Sequence, residues 1–196
     1  VDVQAETIER YVREGKLVPD LVVPMSEHRT FKYFREESLL KYADQYGWTL
    51  IDDTNRKDLF LDMIRQMDMS YSYKPVLIKA ILLYADDKGR VKLEDIVSYF
   101  KFFYEDRRAS GLFVEKKNSI FAKGGYTDKE AERNILSNPF KRFEDMQMLR
   151  HTKTLGIIQV EETVWKHLTR DEKDEIGRIC DDKLQHYYLA QEGKAV

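Results

Sequence analysis

Arg90 to Leu93, "RVKL", is a β segment of only a few residues standing between two helical patterns. A strand that short leaves its N–H and C=O groups unpaired and does not persist without a sheet partner. The chain must bring that partner from elsewhere. The best source is "MLRHTKTLGIIQV", residues 148 to 160, where short runs containing β-branched residues flank a turn at Lys153 to Gly156. The expectation is an antiparallel hairpin packed beside Arg90 to Leu93.

The helices around these strands have local start and stop signals. "MSYSYKPVLIKAIL" opens the most apolar helix with Pro75 in its first turn, Ser70 and Ser72 available as caps, and Tyr71 and Tyr73 as packing groups at its entry. Glu94 to Arg108 is the next helix. Thr127 and Glu130 form a capping box, and Asn138-Pro139 is expected to end that helix and begin another. Thr169 and Glu172 make a second capping box for a last helix that runs to Gly193.

Upstream, residues 5 to 14 read as a short helix stopped by Gly15, and "KLVPDLVVPM" as an edge strand or surface strap, because Pro19 and Pro24 disfavour a central strand. Ser26 is expected to cap a helix bearing Phe31, Phe34, Leu39, Leu40 and Tyr42 up to Gly47, and a third helix spans about 54 to 67. The predicted class is mainly α, with a winged-helix-like core and a small β-hairpin. It divides into an N-terminal helical subdomain (1–72), a winged-helix-like domain (73–165) interrupted by an insertion at 106–127, and a C-terminal helix (166–196) packed on the core.

Net charge is −2, but the charge is unevenly placed: residues 101 to 153 carry 12 basic and 8 acidic side chains between two net acidic flanks. Within that segment, or at its hairpin, Arg107, Arg108, Lys116, Lys117, Lys141, Arg142, Arg150 and Lys153 are candidates for phosphate contact with DNA. The alternative for each is a solvated face or turn. Asn134, Asn138 and Lys123 add residue types that suit a nucleic acid, and His151 lies at the hairpin. Tyr71 and Tyr73 could stack on bases, but residues of this kind at a helix entry are more often packing groups.

Support for catalysis is thin. The chain has no GxxxxGK[ST], HExxH, CxxC or GxSxG, and His28, His151, His167 and His186 lack ligand spacing. Pro19-Asp20 with Glu115-Lys116-Lys117 can be forced into a metal-dependent nuclease pattern, although such residues are abundant here. Cys180 alone cannot form an internal disulfide and reads as a small buried hydrophobe, which suits a reducing, cytoplasmic setting. No apolar run is long enough to cross a bilayer, so no membrane partner is expected. The start at Val1, already in helical pattern, reads as a piece of a longer protein.

With "MDMSYSYKPVLIKAILLYADDKGRVKLEDIVSYFKFFYEDRRASGLFVEK" and "NPFKRFEDMQMLRH" in view, residues 67 to 165 resemble the C-terminal accessory region of large bacterial DEAD/DEAH-box (superfamily 2) helicases of the restriction or phage-defence type. The resemblance implies a non-catalytic module that contacts DNA and positions it for upstream helicase domains of the same chain. No cofactor is expected in this part, since ATP and Mg would serve only the parent helicase. A docking module without direct DNA contact is the alternative.

Overall fold

In the computed structural model, which describes residue 3, residues 5–26 and residues 29–193, helix α1 (Ala5–Arg13) stops just before Gly15, whose φ of +70° suits a residue without a Cβ. The chain is mainly helical with small antiparallel sheets, and it divides into two compact units, Val1–Asp52 and Asp53–Val196.

In the first unit β1 (Leu21–Ser26) pairs antiparallel with β2 (Arg29–Tyr33), Leu21 opposite Tyr33 and Val23 opposite Phe31. Two expectations fail here. Ser26 ends a strand rather than capping a helix, and Phe31 lies in β2; α2 (Glu36–Tyr46) begins only afterwards. The physical reason is that the Pro24-containing strand needs a ladder partner, and the alternation Phe31-x-Tyr33 supplies one. Gly47 closes α2 in the left-handed region, as its position suggests. Leu17 and Ala43 are buried, and the rest of the unit rests on half-exposed rings: Tyr46 lies 5.0 Å from Tyr11 and 5.3 Å from Trp48 between centroids. His28 lies outside the described residues.

The second unit is built around α4 (Tyr73–Tyr84), whose Val76, Leu77, Ala80 and Ile81 are buried. It packs against α5 (Leu93–Ala109) on one side and α10 (Arg170–Glu192) on another. Helix α3 (Arg56–Arg65), which the sequence placed with residues 1–72, belongs to this unit. It buries Phe60, Leu61 and Ile64 and packs on α10 and on a short helix absent from the sequence reading, α9 (Glu162–His167).

Strand β3 (Arg90–Lys92) finds its partner where expected. β4 (Leu149–Thr152) and β5 (Ile157–Val160) form the hairpin, and β5 is central in the order β3-β5-β4, with Val91 opposite Ile158 and Ile158 opposite His151. Gly89, φ +71°, lets the backbone pass Trp165, where a Cβ would stand 2.6 Å from the indole Cγ.

Between α5 and the hairpin lie α6 (Ile120–Lys123), α7 (Asp128–Ile135) and α8 (Lys141–Asp145). Both arms of the Thr127–Glu130 capping box are present, as are those of Thr169–Glu172 at α10. Asn138-Pro139 does not break the helix. Residues Leu136–Phe140 instead form a π turn that joins α7 to α8. A proline lacks the donor and crowds the preceding turn of an α-helix, and the wider π turn accommodates it. The gain is burial, since Pro139 and Phe140 are sequestered and the turn packs on α4.

Candidate functional site

The "SYSYKP" stretch does not cap α4 through a serine side chain. Ser72 is fully buried and stands at the N-cap position with no capping bond from its hydroxyl. Its Oγ is 2.6 Å from Glu115 Oε2, 2.7 Å from the Tyr104 hydroxyl and 3.0 Å from that of Tyr188. Glu115, 3% exposed, accepts from the Ser72 N–H at 2.8 Å, the Lys116 N–H at 2.9 Å and the Tyr187 hydroxyl as well. Burial raises the pKa of the phenols of Tyr104, Tyr187 and Tyr188, which keeps them protonated as donors. The result is a closed polar hub tying the start of α4, the 110–119 loop and α10 together. Tyr73 donates to Ser119 at 2.6 Å, and its ring stacks 4.8 Å from Tyr71.

This hub decides the fate of several expected phosphate contacts. Arg107 lies with its guanidinium 3.3 Å from the centroid of the Tyr188 ring and donates to the Phe113 carbonyl at 2.8 Å. Arg108 donates to the Phe121 carbonyl and pairs with Glu105. Lys116 donates to the Ser70 carbonyl at 2.7 Å. All three hold loops to the fold. Lys141 is paired with Glu144 and Asp145, Arg142 is half-buried on α8, and Arg150 donates to the Gln159 side chain at 3.2 Å across the hairpin. Lys117 and Lys153 are exposed, on the 110–119 loop and at the hairpin turn.

The fold instead brings together a groove that the sequence reading missed. The first turns of α5, α7 and the turn of the β4–β5 hairpin enclose about 1080 Å³. Leu93 and Val97 border it but are each only 5% exposed, so its accessible surface is more polar than apolar, and Leu155 stands at the hairpin turn 69% exposed. Its rim has four carboxylates, Glu94, Asp95, Asp128 and Glu132, against Lys92 and Lys153. Lys92 pairs with Glu94 at 3.3 Å, and Asp128 is paired with Lys101 at 2.5 Å from outside the groove. Asp95 and Glu132 form no ion pair among the described residues.

A second cleft, of about 550 Å³, adjoins it and shares Glu132, Leu136, His151 and Lys153, with Lys129, Arg133 and Ser137 on the helical side. Lys129 and Arg133 are exposed, one helical turn apart. The i, i+4 spacing in "TDKEAER" was the available signal for them. For the groove the signal was weaker: a leucine inside a tight polar turn.

Asp20, half of the forced nuclease pattern, accepts from the Arg35 N–H at 2.7 Å and the Ser38 hydroxyl at 2.9 Å within the first unit, while Glu115 is occupied as described. Among the described residues no group of three or more His, Cys, Asp or Glu is placed to hold a metal ion, and no helix is long and apolar enough to cross a membrane. Comparison with known protein families, with curated proteins and with solved structures finds no match.

Proposed function

We propose that this chain is a non-catalytic accessory module, winged-helix-like over residues 73–160, that works by docking onto protein. The helix, strand, helix, helix, hairpin order and the β3-β5-β4 sheet support the winged-helix reading. By the resemblance of residues 67 to 165, the docking partner is the upstream part of a larger helicase, the part that would use ATP and Mg. One observation carries the choice of docking over DNA. A winged helix that grips a duplex presents the helix before the hairpin, and the hairpin tip, to phosphates. Beside the hairpin tip this molecule has a groove whose rim sets four carboxylates against two lysines, an acidic excess that disfavours a phosphate backbone.

DNA contact is the second reading, favoured by the exposed Lys129 and Arg133 beside Lys153 in the adjoining cleft. Lys117, Lys141, Arg142 and Arg150 would then add phosphate contacts around them. Titration of the chain with a short duplex at low salt separates the two. Docking predicts no binding tighter than about millimolar, and no change when Arg150 and Lys153 are both replaced by alanine. Micromolar binding that falls steeply with salt, and is lost in Lys129→Ala/Arg133→Ala, would transfer the function to DNA.

A further inference from the structure

We infer that a pocket of about 400 Å³ between the start of α3, the end of α8 and the β4–β5 hairpin binds a small carboxylic acid, its carboxylate held by Arg56 and Arg150. The pocket shares no lining residue with the docking groove, so either site can fail without the other. Two of its residues are in unfavourable states as they stand. The side chain of Arg56 is only 14% exposed, yet it makes no hydrogen bond among the described residues: Nε is fully buried without a partner, and the nearest carboxylates, of Asp53 and Glu161, are 3.9 Å from it. A largely buried guanidinium in that condition destabilises the fold, and an acceptor on its terminal nitrogens removes the cost. Gln147 is the second. It is the left-handed residue of the Schellman turn that ends α8, with its N–H on the Glu144 carbonyl at 2.8 Å and the Met148 N–H on the Phe143 carbonyl at 2.9 Å. At φ +56° it is the only non-glycine residue with positive φ among the described residues. Glycine is the usual occupant of such a position; glutamine keeps the strain and places an amide at the pocket wall.

The charges left free select the class of ligand. Of the three lining glutamates, Glu144 is paired with Lys141 at 3.4 Å, and Glu161 is the N-cap of α9, accepting from the Val164 N–H at 3.1 Å and from the Thr163 hydroxyl. Asp53 lies outside the lining and is 76% exposed, so water screens it from Arg56. Arg150 bonds the neutral Gln159 side chain at 3.2 Å. Two arginines therefore face one free carboxylate, Glu162, an excess of one positive charge. A planar monoanion matches that excess, and because Nε is closed off it meets the end-on fork of the two terminal nitrogens. A phosphate dianion would bring a second negative charge against the glutamates. The volume is that of a small-molecule site.

Thermal unfolding of the chain at pH 7 tests this, in about 10 mM acetate, propionate or glycolate against chloride and inorganic phosphate at equal ionic strength. At least one of the carboxylates should raise the midpoint by about 3 °C or more over chloride. Arg56→Lys, which keeps the charge without the fork, should cut that shift to less than half, and so should Arg150→Ala, at an exposed position that leaves folding intact. Gln147→Gly separates a ligand role from a structural one: relief of strain should raise the midpoint of the unliganded chain, while loss of the amide should weaken the carboxylate about tenfold. Arg178→Gln on α10, outside the pocket, should leave the shift unchanged. Midpoints in all three carboxylates equal to that in chloride overturn the inference and leave water as the partner of Arg56. Shifts that survive in Arg56→Lys and Arg150→Ala, or that fall equally in Arg178→Gln, overturn it as non-specific anion binding, and a shift in Gln147→Gly equal to that of the wild type removes Gln147 from the site. A larger shift in phosphate than in any carboxylate overturns the class of ligand.

Discussion

Ser72 concentrates more hydrogen bonds than any ordinary helix cap, and it does so in full burial. Removing its hydroxyl leaves Glu115, Tyr104 and Tyr188 each short of a partner in a place water does not reach. Ser72→Ala should therefore cost about 2–3 kcal/mol, above the roughly 1 kcal/mol of a lost cap. Combining it with Tyr187→Phe should be non-additive, because both act on the same carboxylate. Urea denaturation of the two single variants and the double measures this, and a loss for Ser72→Ala of only a few tenths would mean that the hub admits water. Gly89→Ala is expected to be at least as damaging, about 2–3 kcal/mol, since a Cβ would stand 2.6 Å from the indole Cγ of Trp165 in a backbone region that favours glycine.

At the scale of elements, the start of α10 couples to pH. Glu172 closes the capping box to Thr169 and pairs with Lys57 of α3 at 2.8 Å; the bond to Lys57 is the main cause of a carboxyl pKa held at about 2, below an ordinary 4.5. A depressed folded value means that the stabilisation is fully present above the unfolded pKa and is lost as pH falls through the folded one. The contribution of Glu172 should thus fade between pH 4.5 and about 2. Thermal unfolding of wild type and Glu172→Gln across that range should converge toward the acid end, and a constant gap would refute the linkage. The hairpin offers the opposite case. Leu155→Ser removes an exposed side chain and should alter stability by less than about 0.5 kcal/mol, so any loss of partner binding in that variant reports on the groove and not on folding.

Across the whole molecule, the two units differ in how much they bury. The described residues of the first unit contain two buried hydrophobics, Leu17 and Ala43, whereas α4 alone in the second has six. Amide exchange should therefore be fastest over α1, β1, β2 and α2 and slowest over α4 and β5, and uniform protection would contradict this. Local chemistry made much of the second unit legible. Capping boxes at Thr127 and Thr169 and the need of "RVKL" for a partner are short-range facts of backbone hydrogen bonding, and they located helix starts, the hairpin and its neighbour from residue order alone. The sequence also determined the mainly helical class, through apolar spacing. It could not decide where Ser72, Arg107 and Arg108 would spend their hydrogen bonds, because the partners Glu115, Tyr188 and the Phe121 carbonyl approach only once α4, α5 and α10 have packed. Nor could it show that Leu155 and Glu132 line one groove with Leu93 and Val97. Hydrogen bonds between chain neighbours are written in the order of residues. Side chains meeting across tens of positions are set by packing, and tertiary structure alone made loop anchors of Arg107, Arg108 and Lys116.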